Sequence, residues 1–192
     1  MLLELIDEKE EKGETKLKEV AYFQYARFKF HIYKYPITTV LLVFMPVVLL
    51  AIIKLAGSDI ESAASQLDAK WSVHMSPEER NWAWAVLGKA AAQKLSPSAM
   101  GYYANVSRDT DLGDDLLAWK VRAALRAGQW KEVRKAIDAM GEDTRQDATW
   151  VYWKARALLA GRPSDHERAQ AQRLLEGIAG TRGFYEQLAL EE

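Results

Sequence analysis

The sequence predicts an all-α fold, an α-solenoid of antiparallel helix pairs preceded by one transmembrane helix, and three observations carry it. The segments WKVRAAL (Trp119 to Leu125) and WKARALL (Trp153 to Leu159) are near copies. Their Trp, Lys, Arg, Ala and Leu residues recur at a spacing of about 34, the length of a two-helix repeat. Capping residues and glycines punctuate the chain at helical intervals from Ser58 onward, and an uncharged run of about 19 residues, Tyr35 to Ile53, precedes them. A two-helix unit cannot bury its apolar face alone, so the copies are expected to stack on their neighbours.

Composition narrows the function classes. A chain of 192 residues holds one ordinary domain plus an appendage. A net charge of −1 and a pI of about 6.3 supply no basic face to displace counterions from phosphates, so no nucleic-acid partner is expected. The absence of cysteine excludes disulfides, thiolate metal sites and a cysteine nucleophile. His31, His74 and His166 lack a second histidine at i+3 or i+4, so neither a metal site nor a cofactor is expected. Trp82, Trp84, Trp119, Trp150 and Trp153 fall in predicted helices among Ala and Leu, where packing between repeats is their expected role.

Residues 1–20 are polar and mixed in charge and read as a solvated terminus. Residues 21–57 combine a basic, aromatic approach (YFQYARFKFHIYKY) with the apolar run. That approach suits a membrane interface, although the alternation from Phe28 to Ile32 also fits an edge strand. The run itself, YPITTVLLVFMPVVLLAII, has the length of a bilayer-crossing helix with a kink at Pro46. Arg27, Lys29 and Lys34 lie before it, and Asp59, Glu61 and Asp68 after it. The positive-inside tendency therefore predicts a single-pass bacterial inner-membrane anchor with the repeats in the periplasm.

Residues 58–192 form the predicted helical-repeat domain. A capping residue opens Ser58 to Trp71, and Ser76, Pro77 and Glu79 make a capping box for a helix reaching about Lys94. Ser96 and Pro97 repeat the device for a short helix through Tyr102 and Tyr103. Further helices are predicted from Asp114 to Gly128, Trp130 to Met140 and Asp147 to Ala160. Ser164 caps one to about Ile178, and Gly183 leads into FYEQLALEE. Leu116, Trp119, Ala123 and Ala127 line one stripe, as do Trp150, Trp153, Ala157 and Ala160, while Lys120 and Lys154 are expected to project elsewhere. A third, weaker copy is centred on Trp84.

The runs LLAWKVRAALRAGQWKEVRKAIDAM, TWVYWKARALLAG and AQRLLEGIAGTRGFYEQLALEE resemble the superhelical domain of the soluble lytic transglycosylases that cleave peptidoglycan. The match includes Gly183, Phe184, Tyr185, Gln187, Leu188 and Ala189, and covers residues from about 60 to 192. The resemblance implies a curved scaffold carrying a lysozyme-like catalytic domain, placed after the superhelix and opening with a Glu-Ser pair. Glu61 and Ser62 form such a pair but lie on the wrong side of the superhelix, without the expected continuation, so no catalytic residue is assigned. Residues 1–57 depart from the family.

The implied role is a non-catalytic segment that presents a surface to cell-wall glycan, with peptidoglycan or a catalytic domain as partner. Tyr102, Tyr103, Arg122 and Arg156 are the candidate contacts, since tyrosine and arginine suit sugars and carboxylate-bearing peptides. Packing suits each of them better, since Arg122 and Arg156 recur with the repeat and can bridge neighbouring helices. The alternative is a membrane-anchored, tetratricopeptide-like adaptor that binds a protein on its concave face.

Overall fold

The structure is a computed structural model that describes residues 36–192, with side chains from Met45 onward. The polar segment 1–20 and the basic, aromatic approach before residue 36 lie outside the described residues. Among those described, the protein is all-α, with ten α-helices and no strand. By internal packing the chain divides after Leu50, and Ala51–Glu192 forms a helical unit.

Helix α1 spans Pro36–Ser58 and contains Pro46. Among the described residues no helix is long and apolar enough to cross a membrane, which corrects the expectation for Tyr35 to Ile53. From Ala51 the run belongs to the helical unit, where Ile52 and Ala56 are enclosed. The single-pass inner-membrane anchor falls with this finding. So do the membrane contact through residues 35–53 and the periplasmic placement argued from its flanks.

Asp59, not Ser58, caps the next helix. Its carboxylate accepts from the Ser62 backbone N–H at 2.9 Å and from the Ser62 hydroxyl at 2.6 Å, starting α2 (Ile60–Gln66). One π-helical turn (Leu67–Trp71) and a 3₁₀ turn (Ser72–His74) lead to α3 (Pro77–Gln93). There the capping box forms as predicted: Glu79 N–H donates to Ser76 Oγ at 3.2 Å, and Ser76 N–H donates to the Glu79 carboxylate at 2.9 Å. The buried face of α3 carries Ala83, Trp84, Leu87, Gly88 and Ala91. Its small residues let α4 (Ala99–Tyr103) and α5 (Asp114–Arg126) approach closely.

Helix α5 packs on α6 (Trp130–Asp138), whose Val133, Ala136 and Ile137 form an i, i+3, i+4 apolar stripe with no exposure. Burying a side chain such as Ile137 is worth about 1.5–3 kcal/mol. A one-turn helix, α7 (Glu142–Arg145), precedes α8 (Ala148–Leu159), which packs on α6 and on α9 (Asp165–Ile178). A second capping box, Ser164 with Glu167, starts α9. Helix α10 (Phe184–Glu191) closes on α8 and α9 around Tyr152, Ala155, Leu158, Ala171, Leu175 and Ala189.

Three polar residues are enclosed, Asn81, Asp109 and Lys120. Asn81 donates to Asp111 at 2.7 Å and accepts from the backbone N–H and hydroxyl of Ser107. Lys120, expected to project from the packed stripe, is instead 1% exposed. Its ammonium meets both Asp109 oxygens at 2.9 and 2.8 Å and Glu132 at 3.0 Å. Three donors find three acceptors, which makes burial of the charge tolerable. Lys154, one repeat later, is a partly exposed partner of Asp138.

Candidate functional site at Arg122

Helix periodicity places Trp119 and Arg122 on the same face of α5, one turn apart. The packing of the next pair brings Trp150 from α8 to the same spot. The Arg122 guanidinium carbon lies over the Trp119 ring at 5.1 Å from its centroid and over the Trp150 ring at 5.4 Å. Trp150 is buried and Trp119 half-buried, so two fixed indoles hold an exposed cation through their ring faces. Among the described residues the Arg122 guanidinium makes no hydrogen bond or ion pair.

Arg156 occupies the matching position in the next copy but has a different environment. It is paired with the carboxylate of Glu192, which also accepts from the Tyr152 hydroxyl at 3.2 Å. Burial pushes the Tyr152 phenol above its ordinary value, opposed by the nearby Arg156 charge, so it remains a proton donor across the neutral range. The copy of Trp119 is Trp153, whose indole N–H donates to the Tyr185 hydroxyl at 3.3 Å.

The two tyrosines part company. Tyr102 is half-buried, and its phenol is raised first by desolvation and then by the charges of Glu61 and Asp59. Tyr103 is 1% exposed and donates to the Leu116 carbonyl at 3.0 Å. Burial is the main cause that holds its phenol far above the ordinary range. Its ring serves packing and is closed to any ligand arriving from solvent. Among the described residues no hydrogen bond, ion pair or ring contact joins any two of Tyr102, Tyr103, Arg122 and Arg156, so they do not make one site. Glu61 and Ser62 stand in the first turn of α2, with Ser62 engaged by the Asp59 cap.

Sequence reading missed the part played by Trp150 in seating Arg122, because a contact between different helices leaves no trace in either helix's own period. The available signal was the offset itself, since Trp150 and Trp153 are one turn apart on the helix that follows Trp119 by one repeat. Among the described residues no cluster of His, Asp and Glu has the arrangement to hold a metal ion.

No protein-family model matches the chain, and no curated protein matches it. Among solved structures it is similar to an inactive mutant of the lytic transglycosylase Slt from Pseudomonas aeruginosa. The two share 28% identity with a TM-score of 0.61, and the alignment covers 77% of this chain. The chain spans 24% of that protein's length. The resemblance to a lytic transglycosylase helical domain, drawn from the WKVRAAL, WKARALL and GFYEQLA motifs, therefore holds at the level of structure as well.

Proposed function

We propose, from the likeness to a lytic transglycosylase helical domain, that this chain is a non-catalytic scaffold segment acting in peptidoglycan turnover. In this reading residues 58–192 stack their helix pairs as an α-solenoid and present one face to cell-wall glycan or to a lysozyme-like catalytic domain. The likeness to Slt is the observation that carries it. Arg122 is the contact best suited to the role, because it is exposed and held over two rings. Tyr102 and Arg156 are secondary contacts, and Tyr103, being enclosed, serves the fold.

The test is sedimentation of the full chain with purified peptidoglycan sacculi. The scaffold reading expects co-sedimentation that drops when Arg122 and Arg156 are both changed to Ala. Failure to co-sediment rejects it. The second reading is a tetratricopeptide-like adaptor for a protein partner, the use to which stacked helix pairs are also put. A stoichiometric protein complex without sacculus binding selects the adaptor.

A further inference from the structure

We infer that Arg122, seated over the indoles of Trp119 and Trp150, is a carboxylate-binding site that takes the free carboxylates of peptidoglycan stem peptides. The inference deepens the scaffold reading and rests on it for the source of the carboxylate, though not for the chemistry.

Three observations point to an anion of this kind. Arg122 is exposed yet immobilised, since both rings lie within 6 Å of its carbon, the distance at which a cation is held by an aromatic face. The guanidinium carries a planar fork of N–H donors that suits a two-oxygen acceptor. The fork has no such acceptor among the described residues; Arg80, Arg162, Arg173 and Arg182 also lack a carboxylate partner there, and Arg122 differs from them in resting on two rings.

The chain also contains an example of the occupied state. Arg156, the copy of Arg122 one repeat on, is closed by the side chain of Glu192. What an intramolecular carboxylate does there, a ligand carboxylate does at Arg122. A neutral sugar ring lacks the charge to exploit the fork. Ordering the arginine in advance also reduces the side-chain entropy lost on binding.

The experiment titrates the full chain with four ligands, followed by calorimetry and by tryptophan emission, to which the two indoles contribute among the chain's seven. The ligands are a chitin tetrasaccharide without carboxylates, peptide-free glycan strands carrying only lactyl carboxylates, an intact muropeptide, and the free stem tripeptide. Binding of muropeptide and tripeptide is expected, with a change in emission. Arg122→Ala should weaken both by about tenfold or more, the scale of one lost charge-assisted pair. Arg122→Lys keeps the charge but not the fork and should recover only part. Arg173→Ala, on the exposed side of α9, is the control for general loss of charge, and circular dichroism checks that each variant is folded.

Tripeptide binding that is unchanged in Arg122→Ala overturns the inference. Preference for the peptide-free strands over the tripeptide overturns the assigned source. Binding of the chitin tetrasaccharide alone also overturns the inference but leaves the glycan scaffold standing. Tripeptide binding without sacculus binding keeps the carboxylate site and rejects the scaffold, and no binding of any ligand rejects both.

Discussion

The ring of Tyr103 lies against the backbone of Gly88 so closely that a Cβ on residue 88 would stand 2.7 to 2.9 Å from three of its carbons. Tyr103 cannot withdraw, being enclosed and tethered through its hydroxyl to the Leu116 carbonyl. In an open helix, replacing Gly with Ala gains about 1 kcal/mol. Here Gly88→Ala is expected to lose about 1–3 kcal/mol through overpacking, seen as a lower urea midpoint. In a Tyr103→Leu background the same change should cost far less. Stabilisation by Gly88→Ala in the native chain would show that the ring is elsewhere.

Lys120 and Asp109 form the buried charge pair that joins α5 to the 3₁₀ turn Asp109–Asp111. Asp109→Ala leaves an enclosed ammonium with only Glu132 for company and should cost about 3–5 kcal/mol. The joint replacement Lys120→Met with Asp109→Leu removes both charges and is expected to recover most of that loss. A double-mutant cycle by chemical denaturation measures the coupling, and a coupling near zero contradicts the observed geometry.

Leu95 has a left-handed backbone, φ +58°, at the end of α3. The Ser96 N–H donates to Ala91 O and the Leu95 N–H to Ala92 O, a pattern repeated at the end of α5 by Gln129 to Ala124 and Gly128 to Leu125. Where α5 has glycine, with φ +65°, α3 has leucine. Leu95 is 65% exposed, so little packing is lost on truncation. Leu95→Gly is therefore expected to stabilise the chain by about 1 kcal/mol, the left-handed penalty net of added unfolded-state freedom. Thermal unfolding checks the sign.

Asp114 ties the start of α5 to α7. Its carboxylate accepts from the Thr144 hydroxyl at 2.5 Å and from the Gly141 N–H at 2.9 Å, and these bonds hold it below its ordinary value of 3.8. Because the folded-state value is depressed, the stabilisation is complete above the unfolded value and is lost as pH falls through the folded one. The difference in stability between the native chain and Asp114→Ala should thus shrink below about pH 4. Denaturation midpoints at neutral and acid pH decide it, and a constant difference rejects the assignment.

How far these features could be read in advance depends on whether their cause was local. The capping box of Ser76 with Glu79 and the cap at Ser164 form as the sequence predicts because each is contained within four residues. Ser96 plays two parts: its hydroxyl accepts from the Ser98 N–H at 3.2 Å before α4 starts at Ala99, while its own N–H closes the end of α3. Ser58 likewise spends its hydroxyl on Leu55 O at the end of α1. The burial of Lys120 had no local signal, since Asp109 reaches it from a turn outside the helical period. The apolar run misled because length and hydropathy do not distinguish lipid from the neighbouring helices that enclose Ile52 and Ala56. Of the site, the arginine position was legible from the repeat, whereas its second ring and the closure of Arg156 by Glu192 depend on contacts far apart in sequence.

The closing turns of α1 determine where the helical unit can be shortened. Gly57 offers its carbonyl to the Lys94 ammonium at 2.8 Å, and Ile52 and Ala56 lie just before it. A protein trimmed to begin at Ser58, where alanine-rich sequence takes over, would lose both plugs and that anchor point together, whereas trimming at Ala51 retains them. The visible seam in composition and the seam in folding are about two helical turns apart, and it is the less conspicuous one that should mark the smallest piece able to stand alone.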